Sequence, residues 1–292
     1  MEIAPQASSA HLGNAVPIMN IETITTLDDD RVADYRNVPD PVLLKQRGLF
    51  VGEGRLVVRH LLADQRYAVR SVLVSPAALE SLREIVDARP DIPVYVAAVD
   101  VLSGIVGFHL HRGCLAICER PAGATLAATL AQVASARLIV VAEQIGNADN
   151  MGGLFRNAMA FGAGAVLLSP NCCDPLYRKA VRVSIGGTVR VPTAVIDDWP
   201  GGLSTLKQAG YTLVGLTPDP RAKELGEWVF HQRRPARIAL VVGHEGFGLS
   251  DPTLALTDIR VRIEMVAGVD SLNVATAAGI AMYACSGLWR PV

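Results

Sequence analysis

Apolar residues in the second half of the chain come in short unbroken runs, at 138–142, 165–168, 212–216 and 238–242. A run without polar alternation is what a parallel strand needs when both of its faces are covered. The segments between these runs, 152–161 and 203–209 among them, carry helical spacing. Strands alternating with helices predict a doubly wound α/β domain, whose ligands bind beyond the carboxyl ends of the strands. Upstream, 57–62 reads as an amphipathic helix, 69–74 as a strand, 77–88 as a helix, 94–97 as a strand and 113–118 as a closing strand. That is a second, smaller α/β unit. Pro121-Ala122-Gly123 interrupts the pattern and marks the boundary. The expected layout is a flexible or extended segment over 1–36, a small α/β domain over 37–120 and a larger one over 121–292.

Composition adds limits. Half of the 292 residues are apolar, enough for a sizeable core, yet no run reaches the length of a membrane span. Residues 1–20 lack the basic start and apolar centre of a secretory signal, which points to a soluble cytoplasmic protein. The five cysteines are odd in number and form no C-x-x-C pair, so reduced thiols are expected and no metal site. A net charge of −1 gives no global basic footprint. Three local clusters stand out: Arg55, Arg59, Arg66 and Arg70; Arg178, Lys179, Arg182 and Arg190; Arg221, Lys223, Arg233, Arg234 and Arg237. Each suits a solvated helix face or a phosphate-binding surface equally well.

Three polar-glycine segments carry the candidate chemistry. The first runs from Glu143 to Asn157, follows a buried strand and opens a helix. Asn150 and Arg156 lie six apart and converge only if Asn150 sits in the turn before the helix. An arginine on so apolar a helix needs a carboxylate or phosphate partner. The second, Gly243-His244-Glu245-Gly246-Phe247-Gly248, frees the backbone for close approach to a ligand. Glu245 could anchor an arginine there, whereas His244 reads as a loop residue. The third runs from Ile259 to Met265 and on to Ser271-Leu272-Asn273-Val274, where a small-residue helix begins. Ile263 and Met265 suit a purine face. The ordinary role of Ser271 or Asn273 is to cap that helix.

In order, Asn-x5-Arg, Gly-x-Glu-Gly-x-Gly and Ile-x-Met…Ser-Leu-Asn-Val-x-x-Ala resemble the motifs of the SpoU (TrmH) family of the SPOUT superfamily, RNA 2′-O-ribose methyltransferases that use S-adenosylmethionine. The resemblance covers about residue 122 to the end, and 37–120 looks like the RNA substrate-binding domain that many members carry in front. It implies a C-terminal knotted (trefoil) Rossmann-like parallel-sheet domain, an exception to unknotted topology. It implies a homodimer acting on rRNA or tRNA, with the active site completed across the interface. By motif, Asn150, Arg156, Glu245, Ser271 and Asn273 correspond to catalytic positions, with Glu245 expected to orient Arg156. Thr217, Gly243, Glu245, Gly246, Ile263, Met265 and Leu272 correspond to cofactor positions. Glu264, Ala275 and the stretch Asn147-Ala148-Asp149 depart from the family pattern. Two other readings are a non-catalytic RNA-binding protein of this fold and a dinucleotide-dependent oxidoreductase. The first would lack the five polar residues, and the second would need a G-x-G-x-x-G turn that Gly152-Gly153 does not supply.

Overall fold

In the computed structural model, which describes residues 20–36, 39–107, 113–231 and 235–287, the chain builds two sheets. The first contains β1 (Ile21–Thr23), β2 (Leu49–Glu53), β3 (Val69–Val74), β4 (Val94–Val96) and β5 (Cys114–Glu119), in the order β1-β4-β3-β5-β2. A 3-10 helix (Asp30–Tyr35), α1 (Asp40–Gln46), α2 (Arg55–Ala63), α3 (Pro76–Asp87) and α4 (Val99–Val106) cover its faces. β1, β4 and β3 run parallel, while β5 is antiparallel to both β3 and β2.

From residue 20 on, the segment expected to be flexible or extended is part of this unit. Ile21, Glu22 and Thr23 pair with Val94, Tyr95 and Val96, and Ile24, Val32 and Tyr35 are buried in the same unit. The apolar anchors in this polar stretch are too widely spaced to show either periodicity. Residues 1–19, together with Arg233 and Arg234, lie outside the described residues.

The second sheet is parallel throughout, with the order β10-β12-β9-β11-β6-β7-β8. After α5 (Leu126–Gln132) come β6 (Leu138–Ala142), α6 (Ala148–Ala160), β7 (Val166–Leu168), α7 (Arg178–Val183), α8 (Gly187–Arg190) and β8 (Thr193–Val195). Then follow α9 (Leu203–Gln208), β9 (Thr212–Leu216), β10 (Lys223–Glu224), α10 (Leu225–His231), β11 (Ile238–Val242), α11 (Asp251–Leu256), β12 (Ile259–Arg262) and α12 (Val274–Ser286). The unbroken runs have the expected cause. Leu138, Val140 and Ala142 of β6 face a core shared with α6, α10 and α12, while Ile139 and Val141 face α9 and Leu249.

Two local features place the site. β6 and β11 are in register from Leu138 with Ile238 to Ala142 with Val242, so their following loops leave the sheet side by side. α6 begins at Ala148 rather than at residue 152, because the Asn147 side chain accepts the Asp149 N–H at 2.7 Å and the Asn150 N–H at 3.4 Å.

The two sheets share a core. Leu176, Val181 and Val189 pack with Phe50, Val57 and Val58 of the first unit. Around that contact the Tyr67 hydroxyl donates to the Val189 carbonyl at 2.8 Å, the Arg178 N–H donates to Asp40 at 3.0 Å and Arg120 pairs with Asp174 at 2.7 Å. Cys114, Cys118 and Cys285 are buried, Cys172 and Cys173 half-buried, and all five are free thiols. No helix among the described residues is long and apolar enough to cross a membrane.

Glu143, at the end of β6, is a buried hub. Its carboxylate receives the Ser250 hydroxyl at 2.6 Å, the Thr253 hydroxyl at 2.9 Å, the Ser250 N–H at 3.0 Å and the Trp199 indole N–H at 3.1 Å. Glu143→Ala leaves these donors without their acceptor and is expected to cost about 3 kcal/mol in urea unfolding. A loss below about 1 kcal/mol would show that the network relaxes around the gap.

Candidate active site

The carboxyl ends of β9, β11 and β12 open onto a cleft that is continuous with solvent. Thr217, Gly243, Glu245, Gly246, Ile263, Met265 and Leu272, the seven residues expected around the cofactor, all line it. Leu216, Val242 and Ala277 add apolar wall.

The wall after β11 is a tight loop. His244 and Gly248 exchange backbone hydrogen bonds of 3.0 Å in both directions. The closure leaves no room at Gly243, where a Cβ would overlap the Gly248 carbonyl and the Leu249 nitrogen. Nδ1 of His244 accepts the N–H groups of Gly246 at 2.8 Å and Phe247 at 3.2 Å. His244 therefore shapes the loop, as its sequence context suggests, and Glu245 sits at the tip.

Glu245 reaches back to α6. Its Oε1 accepts the Asn150 side-chain N–H at 3.0 Å and the Asn147 backbone N–H at 3.3 Å. A carboxylate can only accept, so this contact fixes the Asn150 amide with its oxygen turned the other way. That oxygen accepts from the Asn273 amide at 2.7 Å. The Asn273 oxygen then caps α12, taking the N–H groups of Ala275 at 3.0 Å and Thr276 at 3.2 Å. One chain of hydrogen bonds thus joins three segments distant in sequence, and every amide in it has one allowed orientation.

Helix packing holds that chain in place. Asn157 donates to the Ala275 carbonyl at 2.7 Å, and Gly279 leaves the space that Asn157 occupies. A Cβ on Gly153 would come 2.8 Å from the Ala275 methyl, so Ala275 is a packing residue against α6. Asn150, Gly153 and Asn157 follow i, i+3, i+7 and form one face of α6. That spacing was the available signal for Asn157, and the cap position was the signal for Asn147. Sequence reasoning assigned neither to the site.

Two expectations need correction. Ser271 lines the cleft but caps nothing; Asn273 alone caps α12. Arg156 does not meet Glu245. Asn150 lies inside α6 rather than before it, and six residues of helix turn Arg156 about 120° away from Asn150. Arg156 is exposed, and its side chain has no hydrogen-bond or ion-pair partner among the described residues. Exposure removes the desolvation cost that seemed to require one.

Desolvation pushes the Glu245 pKa up, but hydrogen bonds from Asn150 and from the N–H groups of Glu245, Asn147 and Gly146 outweigh it, so the pKa lies below its ordinary value. For a depressed carboxylate, the stabilising contribution is present above the ordinary pKa and lost as pH falls through the lowered one. The stability gap between wild type and Glu245→Gln is therefore expected to stay constant from pH 6 to 8 and to close only below about pH 4. Urea midpoints against pH read it directly. A gap that closes near neutrality would contradict the assignment.

A model of the SpoU rRNA methylase family matches residues 137–283, the parallel-sheet unit with its cleft. An uncharacterized tRNA/rRNA methyltransferase of Mycobacterium bovis is 40% identical over 272 residues, covering 91% of both chains. This chain belongs to the SpoU rRNA methylase family. The Bacillus subtilis 23S rRNA (guanosine(2553)-2′-O)-methyltransferase is 24% identical across 91% of this chain and all of its own. Among solved structures, the AdoMet-bound rRNA methyltransferase of Sinorhizobium meliloti shares the fold, with TM-score 0.76, 19% identity and coverage of 93% of this chain and 100% of that one. Membership makes the chain an RNA methyltransferase by family. Among its described residues no cluster of three His, Cys, Asp or Glu side chains is placed to hold a metal ion.

Proposed function

We propose that this chain transfers a methyl group from S-adenosylmethionine to a ribose 2′-hydroxyl of structured RNA, with ribosomal rather than transfer RNA as the substrate class. The observation that carries the reading is the chain Asn273–Asn150–Glu245 at the rim of the glycine-walled cleft. The lining fits the cofactor. Apolar Ile263, Met265 and Leu272 offer a surface for its purine, and the crowded glycine loop offers backbone groups at close range. When bound, the cofactor supplies a methyl group made electrophilic by its sulfonium.

The residues of the chain supply position and charge. Asn150 and Asn273, held in one orientation each, present fixed amides to the ribose. The Ser271 hydroxyl stands exposed in the cleft wall, able to donate or accept. Arg156 holds an RNA phosphate. Its guanidinium stays protonated, so removal of the ribose proton depends on the phosphate that it binds.

The same reading includes a homodimer in the cytoplasm and a C-terminal segment threaded through a loop to form a knot. Ile280 and Tyr283 are exposed on α12, and Tyr283 lies 5.8 Å from the Phe161 ring. They offer an apolar stripe for a second copy, about two to three turns along α12 from the cap that holds Asn150. The domain proposal is an RNA-binding unit up to residue 120, starting near residue 20 because of β1, and a methyltransferase unit from 121. Titration calorimetry tests the core of the reading: S-adenosylmethionine binds and a nicotinamide dinucleotide does not. Binding of the dinucleotide instead would overturn it.

A further inference from the structure

Most arginines of the three basic stretches are engaged. Arg66 holds Asp64, Arg70 holds Glu119, Arg59 donates to the Ser81 carbonyl and Arg182 faces Glu53. Arg221 holds Asp219, and Arg237 donates to the carbonyls of Ala134, Ala136 and Ala209. Among the described arginines, Arg55, Arg137, Arg156 and Arg190 are exposed and have no side-chain hydrogen-bond or ion-pair partner.

Three of these surround α8, at the junction of the two sheets. A Cβ on Gly187, its first residue, would lie 3.3 Å from the backbone nitrogen of Arg156 on α6. A Cβ on the preceding Gly186 would lie 3.6 Å from the Val57 side chain, two residues after Arg55 on α2. Arg190 is the last residue of α8. His60, on the α2 side, is held below its ordinary pKa by burial first and, against the pull of Asp64, by the nearby charges of Arg190 and Arg66. Arg190 ends α8, Arg55 opens α2 and Arg156 stands on α6, so the three belong to elements that meet at one short ridge. The nearby carboxylates are already matched: Asp149 by Lys179, Asp64 by Arg66 and Glu53 by Arg182. An exposed guanidinium with no ion pair to break is suited to a phosphate. Leu56, beside Arg55, is 67% exposed and offers an apolar contact for a base or ribose.

We propose that this ridge carries the RNA backbone into the site, with Arg55 and Arg190 holding phosphates that flank the one met by Arg156. The proposal rests on the methyltransferase reading for the identity of the polymer. It makes the junction of the two sheets, rather than the first unit alone, the RNA-guiding surface.

The test is binding of a labelled oligouridylate, which reports backbone contacts without sequence, across a range of salt concentrations. Arg55→Ala and Arg190→Ala are each expected to weaken binding about five- to tenfold and to reduce the slope of log K against log salt by about 0.7. Thermal midpoint and S-adenosylmethionine affinity stay at wild-type values. Arg137→Ala is the control, because Arg137 precedes β6 at the opposite ends of the strands and should change nothing. If Arg55→Ala and Arg190→Ala bind as Arg137→Ala does, the ridge is wrong. The two readings fail separately. A wild type that methylates no RNA sinks the methyltransferase reading while the salt slopes still judge the ridge.

Discussion

Arg156→Ala is expected to bind S-adenosylmethionine as the wild type does and to lose about 100-fold or more in methyl transfer. The two halves of that result have separate causes. Arg156 lies outside the cleft lining, exposed and without a side-chain partner among the described residues, so its removal should change stability by less than about 0.5 kcal/mol. The loss therefore falls on the reaction. Arg156→Lys separates charge from geometry, since lysine keeps the charge but not the two-pronged grip on a phosphate. It should recover only part of the rate. Wild-type turnover in Arg156→Ala would remove this residue from the mechanism.

Gly243→Ala is expected to abolish measurable cofactor binding while leaving the chain folded. The added methyl would overlap the Gly248 carbonyl and the Leu249 nitrogen, both backbone atoms in a loop closed by paired hydrogen bonds. The loop must open, at a stability cost of about 1–3 kcal/mol, the range for overpacked sites. Opening it moves Glu245 and frees Asn150 to turn. Gly246→Ala, in the same loop, is the matched comparison. Its methyl would lie 3.6 Å from the His244 ring, an ordinary contact, so binding should persist. Equal binding by both variants, measured by calorimetry, would show that loop closure does not form the pocket.

These expectations depend on features of unequal visibility in the sequence. β6 and β11 were legible because burial on both faces removes every polar residue from the run, and β9 because it keeps only Thr212, at its edge. β10, with two residues, and β8, with three, carry too few positions to show any period. β1 was hidden in the same way, its pairing with β4 depending on residues more than 70 positions away. The site residues came from the resemblance of motifs rather than from spacing. The resemblance also implied that Glu245 would orient Arg156, which the fold does not bring about within one chain. The bond between Glu245 and Asn150 depends on the register of β6 with β11 and on where α6 begins. Asn147 decides the second of these through its cap, a single polar residue whose effect is to move Asn150 from turn to helix.

The most direct measurement is a nucleoside analysis of ribosomal RNA incubated with the purified protein and isotopically labelled S-adenosylmethionine. The expected result is label in a 2′-O-methylated nucleoside, absent with Arg156→Ala. Label in a base-methylated nucleoside, or none in any RNA despite bound cofactor, would contradict the proposed function.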